Sequence, residues 1–322
     1  MSLHNAGQIK DEVIEYILER RVPIKHLQLE ASNLVSDEKW RDLFQRHGPQ
    51  LETLKLSWLD FSMDDETVAH LAAGCPNITR LKLKKLFKIG DKSLESIAEM
   101  KNLKHLSLRL VQPTSAETLV KLTTAVGPNL RTLSLEKFEN ADDSVLQTIH
   151  TSCRHLNKFR FTDNDFCTDR GFVDLFTDWR NPPLSFLDLA SNRDLDYTNP
   201  DGPEDPIGLA SEGFKAMMGH SRSLVERLDI SSCRHIRHAA FLETFDGIKT
   251  YPCLKDINIS FLTMIDTPVA VGIFKSCPQL RKLTAFGCFN VRDVLVPPRV
   301  ALVGLPNAQE TIMVGGEMVG DL

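Results

Sequence analysis

The chain has 322 residues, of which 42% are hydrophobic and 25% charged, and a formal net charge of −5. That composition belongs to an ordinary folded protein, with room for one large domain or two smaller ones. It excludes nucleic-acid binding through overall charge, so a cationic site must be local, and no apolar run reaches the roughly 18 residues of a membrane span.

In chain order, the first twenty residues read as the back half of a repeat. Leu3 stands as the last residue of a strand, and Val13, Ile14, Ile17 and Leu18 form one helix face. The chain is therefore expected to begin in mid-repeat. A hexapeptide of the form apolar-x-x-apolar-x-apolar follows, as IKHLQL at 24, LETLKL at 51, ITRLKL at 78, LKHLSL at 103 and LRTLSL at 130. It continues as LNKFRF at 156, LSFLDL at 184, VERLDI at 225, LKDINI at 254 and a weaker LRKLTA at 280. The intervals are 27, 27, 25, 27, 26, 28, 41, 29 and 26 residues. A period this constant is the mark of a leucine-rich repeat, in which each unit buries its apolar face only by stacking on its neighbours.

The expected fold is an α/β leucine-rich-repeat solenoid, a horseshoe of about ten strand–helix repeats with a concave parallel sheet and convex helices. It spans 1–293, and a capping tail occupies 294–322, where VLVPPRVALVGLP lacks the repeat pattern. Helices are predicted where apolar residues recur at helical spacing. The faces are Trp40, Leu43 and Phe44; Leu94, Ile97 and Ala98; Val145, Leu146 and Ile149; and Phe172, Val173 and Phe176. Ser36-Asp37, Asp64-Asp65, Asp142-Asp143 and Thr168-Asp169 precede helices and suit their N-termini as caps, not as catalytic carboxylates.

Residues between the core positions of each hexapeptide should line the concave face, the usual binding surface of such arrays. They are Arg80, Lys82 and Lys84, then His105, Ser107 and Arg109, then Thr132, Ser134 and Glu136, then Lys158, Arg160 and Thr162. Further along the sign changes, with Asp188, Arg227, Asp229, Asp256 and Asn258. Residues 78–109 hold nine basic and three acidic side chains. Such a stretch fits a hydrated sheet surface, a protein-partner site or direct phosphate contact. Lys85 and Lys88 are expected past the strand, and the stripe carries few aromatic residues for stacking nucleic-acid bases.

The 41-residue interval holds a surplus, DLDYTNPDGPEDPIG at 194–208, with five acidic residues, no basic ones and three prolines. It is expected as an exposed loop, a partner contact or a neutral insertion, and its spacing does not make a calcium loop. The seven cysteines include no CxxC pair and point to a reducing compartment, cytosol or nucleus. Cys75, Cys153 and Cys277 precede strands, while Cys233 and Cys288 follow them, as small buried residues. Cys233, His235 and His238 have metal-like side chains but no fourth ligand nearby. No nucleotide-binding, metalloprotease or hydrolase motif is present, so no cofactor, metal or catalytic residue is assigned.

Residues 6–20 (AGQIKDEVIEYILER), 24–44 (IKHLQLEASNLVSDEKWRDLF), 224–233 (LVERLDISSC) and 300–312 (VALVGLPNAQETI) resemble the leucine-rich part of the Rad-seven family of fungal DNA repair proteins. The resemblance implies a nuclear, non-enzymatic interaction scaffold in global-genome nucleotide excision repair. Its implied partners are the Swi/Snf-type ATPase Rad-sixteen, with elongin C and a cullin of a ubiquitin ligase reached through the family's N-terminal region. Chromatin or damaged DNA would be met indirectly. The alternative is the substrate-recognition repeat domain of an F-box-type cullin ligase, and a third reading is direct binding of damaged DNA by the cationic face.

Overall fold

Leu27, Leu54, Leu81, Leu106 and Leu133 hold the same step in five successive hexapeptides and become cross-strand neighbours. A second row, Leu29, Leu56, Leu83, Leu108 and Leu135, runs beside it. Every member of both rows is buried. The pleat points alternate residues to one face, so the two rows form a continuous apolar floor while the residues between them face outward.

The structure, a computed structural model, describes residues 2–3, 9–20, 23–31, 34–59, 61–110, 112–164, 166–179, 182–193, 207–305, 313–314 and 317–318. The chain divides into two compact units, residues 1–156 and 157–322. In the first, parallel strands β1 (Ser2–Leu3), β2 (His26–Glu30), β3 (Thr53–Leu59), β4 (Arg80–Leu86), β5 (His105–Leu110) and β6 (Thr132–Glu136) lie side by side in chain order. Helices α1 (Asp11–Glu19), α2 (Asp37–His47), α3 (Asp65–Gly74), α4 (Asp91–Ala98), α5 (Ala116–Val126) and α6 (Asp143–Ser152) follow the strands in turn and pack on one another in order.

The second unit repeats the scheme. It comprises β7 (Lys158–Thr162), α7 (Asp169–Phe176), β8 (Phe186–Asp188), α8 (Ser211–Ser221), β9 (Arg227–Asp229), α9 (His238–Thr244), β10 (Asp256–Asn258), α10 (Thr267–Ser276), β11 (Lys282–Thr284) and β12 (Ala301–Val303). Its strands are parallel, and β12 pairs with the edge of β11 although residues 301–303 belong to no hexapeptide. A short antiparallel pair, β13 (Met313–Val314) with β14 (Glu317–Met318), follows. The fold is the expected α/β leucine-rich-repeat solenoid. The acidic surplus falls almost wholly outside the described residues, at 194–206.

The helix starts show how one coil depends on the next. Ser36, Asp64, Ser115, Asp142, Thr168 and Asp266 cap their own helices, each accepting an N–H of the first turn. The first helical residue has a different task. Asp11 accepts from Ser36 N–H at 2.7 Å, Asp65 from Gly90 and Ser93 N–H at 3.2 Å each, and Asp91 from Ser115 N–H at 2.9 Å. Asp37 likewise accepts from Met63 and Asp64. In the long coil, Asp169 holds Ala210, Glu212 and Gly213 N–H at 2.7, 3.2 and 3.0 Å. Each carboxylate thus satisfies orphan donors of the following helix, 24–28 residues on in the regular coils and 41–44 in the long one. Burial nonetheless pushes the Asp169 carboxyl above its usual range, with the three N–H groups pulling it back. A Cβ at Gly213 would lie 2.6 Å from Asp169 Oδ1, so only glycine permits this approach.

Asparagine amides add a second coil-to-coil tie. Asn77, Asn102 and Asn129 Nδ2 donate to the carbonyls of Pro49, Pro76 and Lys101 at 2.8–2.9 Å. On α7 the buried face is Phe172, Leu175 and Phe176, whereas Val173 is half-buried. In so short a helix the apolar pattern leaves two registers open, and the contact with α8 selects one.

Two residues past the last core position of eight of the ten hexapeptides, a non-glycine residue turns left-handed. Ala31, Trp58, Lys85, Lys137, Asp163, Ser191, Ser232 and Phe261 have φ between +56° and +63°. Non-glycine residues at such φ cost about 1 kcal/mol each, and the turn that ends each strand imposes it.

His47, at the end of α2, is buried with Nδ1 unpaired among the described residues. Burial, and then the charge of Arg46, hold its pKa below the usual 6.5. The unfolded chain therefore binds this proton more readily, and stability is lost as the pH falls through 6.5. Melting temperatures across that window should drop less in His47→Leu than in the parent. In chemical denaturation, Leu83→Ala should cost about 2–5 kcal/mol as a core truncation. Asp65→Ala, which uncaps the next coil, should cost about 0.5–2 kcal/mol.

Candidate functional site

The outward residues of the first unit form three rows. His26, Thr53, Arg80, His105 and Thr132 make one, and Gln28, Lys55, Lys82, Ser107 and Ser134 the next. His26, Lys55, Arg80 and His105 border an open depression, in which His105 Nδ1 lies 3.0 Å from Thr132 Oγ1. The third row, Glu30, Ser57, Lys84 and Arg109, leads to Glu136. The Glu136 side chain is only 8% exposed, pairs with Lys84, and lies 3.9 Å from Arg109 Nη1. Ser134 Oγ donates to it at 3.0 Å. A buried carboxylate requires such compensation, so two cations of the stripe serve an internal anion. Among the described residues, Arg80 and Lys82 take part in no ion pair.

In the second unit Lys158, Phe186, Arg227, Asp256 and Lys282 form one row, and Arg160, Asp188, Asp229, Asn258 and Thr284 another. Arg160 Nε meets Asp188 Oδ2 at 2.7 Å, and Arg227 Nε meets Asp256 Oδ2 at 3.0 Å. Asn258 Nδ2 donates to Asp229 Oδ2 at 2.8 Å. Burial pushes the Asp188 carboxyl up, Arg160 draws it down, and neighbouring Asp229 raises it again. The change of sign read along the sequence is, in space, an interleaving of opposite charges.

One of the two lysines expected past the strand departs from expectation. Lys85 lies within β4, at a bulge between Lys84 and Leu86 rather than past the strand. Lys88 does lie past it, and its Nζ is 3.6 Å from Asp37 Oδ2. The bulge re-aims Lys85 so that its Nζ sits 3.2 Å from the centre of the Trp58 ring. Beside this pair a cleft opens, lined also by Phe87, Arg109, Thr114 and Lys137. The strand-row reading had no place for Trp58, Phe87 or Lys137. The signal that finds two of them is positional, since Trp58, Lys85 and Lys137 all hold the left-handed step two residues beyond a hexapeptide.

The cysteines are built into the frame. Cys75, Cys153 and Cys277 sit buried at helix C-termini, their thiols pushed up to about 12 by burial. Cys233 Sγ donates to the Leu189 carbonyl at 3.0 Å, and Cys288 Sγ to that of Ile259 at 3.2 Å. His238 lies against Asp266 at 2.9 Å. No group of metal-ligating side chains converges among the described residues.

Fold and surface define a leucine-rich-repeat solenoid whose outward strand face carries patterned charge. No protein-family model matches the chain. It is similar to the DNA repair protein rhp7 of Schizosaccharomyces pombe, with 23% identity over 312 residues, covering 94% of this chain and 51% of that protein. It also superposes on a chain of the crystal structure of the Rad7 and Elc1 complex from yeast, with a TM-score of 0.77 and 19% identity over 94% of this chain and 73% of that one. The chain is thus Rad7-like, as the resemblance in its sequence implied, and spans about half the length of the curated relative it matches.

Cys253 alone among the seven thiols is not buried. A thiol reagent should therefore label one cysteine in the native protein and all seven after denaturation.

Proposed function

We propose that this chain is a non-enzymatic interaction scaffold of nucleotide excision repair, acting in the nucleus. Its repeats would bind the Swi/Snf-type ATPase, and a link to elongin C and a cullin would place it in a ubiquitin ligase. The observation that carries this reading is the likeness to a DNA repair protein along 94% of the chain. The co-crystallisation of Rad7 with Elc1 supports the ligase link. In this reading the tail 294–322 closes the last coil, and damaged DNA is reached through the partner.

The strand face is the proposed contact, through Arg80, Lys82, Lys84, His105, Arg109, Lys158 and Arg160, with Asp188, Arg227, Asp229 and Asp256 giving it a second, mixed-charge region. Arg80, Lys82 and Lys158 are the strand cations most available to a partner, because Lys84 and Arg160 already serve carboxylates beside them and Arg109 lies within 3.9 Å of one. An affinity pull-down from fungal nuclear extract, with this chain as bait, should recover the ATPase. Recovery of unrelated proteins alone would count against the repair reading. Charge reversal in the double variant Arg80→Glu, Lys82→Glu should weaken capture by about tenfold and change stability by no more than about 0.5 kcal/mol. Unaltered capture would remove the strand face from the contact.

A further inference from the structure

We propose that the cleft beside Trp58 is a socket for a short acidic segment of a protein partner, which inserts one bulky apolar side chain between Trp58 and Phe87. The inference does not rest on the role in repair. The cleft lies at the strand ends of the first unit, and its volume of about 210 Å³ suits one large side chain rather than a drug-sized ligand. Its walls are unusual for a surface turn. Trp58 is 45% exposed and Phe87 38% exposed, so a large apolar area faces solvent where the coil has no need of it.

Charge says what would cover that area. Lys85, Arg109 and Lys137 line the cleft against a single acidic wall residue, Glu139, whose Oε1 is 4.0 Å from Lys137 Nζ. Arg109 shares Glu136 at 3.9 Å, a loose contact that leaves its guanidinium able to take a second carboxylate. A mixed apolar and cationic site of this size selects an acidic peptide carrying an aliphatic or aromatic anchor. A stacked nucleobase is disfavoured, because Lys85 already occupies one face of the indole.

The backbone brings these walls together. Trp58, Lys85 and Lys137 hold the left-handed turn, with φ of +56° to +60°, that recurs from coil to coil, and here each turn residue carries a large side chain to the cleft.

The test is fluorescence anisotropy with a labelled nonapeptide of Asp and Glu bearing one central Phe. The controls are the same peptide with a central Gly and a labelled oligothymidine. The Phe peptide should bind, and the Gly peptide should bind at least about tenfold more weakly. Trp58→Gly, which removes the ring and suits the left-handed backbone, should cost a similar factor, as should Lys137→Glu. Circular dichroism verifies that each variant is folded. Equal binding of the Phe and Gly peptides, or no loss in folded Trp58→Gly and Lys137→Glu, would overturn the proposal. Binding of oligothymidine that depends on Trp58, without binding of the Phe peptide, would also overturn it in favour of single-stranded nucleic acid.

Discussion

Successive coils of this protein are tied by helix-start donors that a carboxylate of the preceding coil satisfies. A helix of about ten residues exposes four backbone N–H groups at its start, and its own cap satisfies one or two. The first helical residue of the preceding coil supplies the rest, from Asp11 to Ser36, from Asp65 to Gly90 and Ser93, and from Asp169 to Ala210, Glu212 and Gly213. The strands impose the same dependence, and so do the asparagine amides that reach back one coil. Local rules therefore produce a fold whose stability is a property of neighbours. A carboxylate placed one residue late would cap nothing.

The same economy shapes the surface. Glu136 and Asp188 are carboxylates with little exposure, Asp188 held by Arg160 on the neighbouring strand and Glu136 by Lys84 from two strands away. The cost of burying such charges falls only when partners are fixed in place, and the flat spacing of parallel strands fixes them. Part of the cationic stripe is consequently structural. What remains open to solvent is narrower than the count of basic residues suggests.

The fold was legible because its signals are local and repeated. Ten hexapeptides located the strands, and Ser36, Asp64, Asp142 and Thr168 announced helix starts by their own chemistry. The inter-coil role of the following aspartates was less so, because it joins residues 24 or more positions apart, although the recurrence of Asp at the first helical position was visible. The ion pairs were hidden for a different reason. Lys84 reaches Glu136 across two strands and 52 residues, and no periodicity indicates which outward neighbours will turn toward each other. The cleft depends on a bulge at Lys85 and on left-handed turns at Trp58 and Lys137, conformations usually sought at glycine, so large side chains there gave no warning.

The long coil is closed by residues on either side of its insertion. Arg193 bridges to Gly208, Thr168 to Ile207, and Asp169 anchors the start of α8. These contacts close the coil at the root of the insertion, through residues 168–169, 193 and 207–213. For a segment hung from a closed frame, doubling its length costs only about 0.6 kcal/mol of loop entropy. Selection is therefore free to lengthen, shorten or rewrite this stretch without retuning the core, and an engineer could insert a tag or a second binding module there on the same terms.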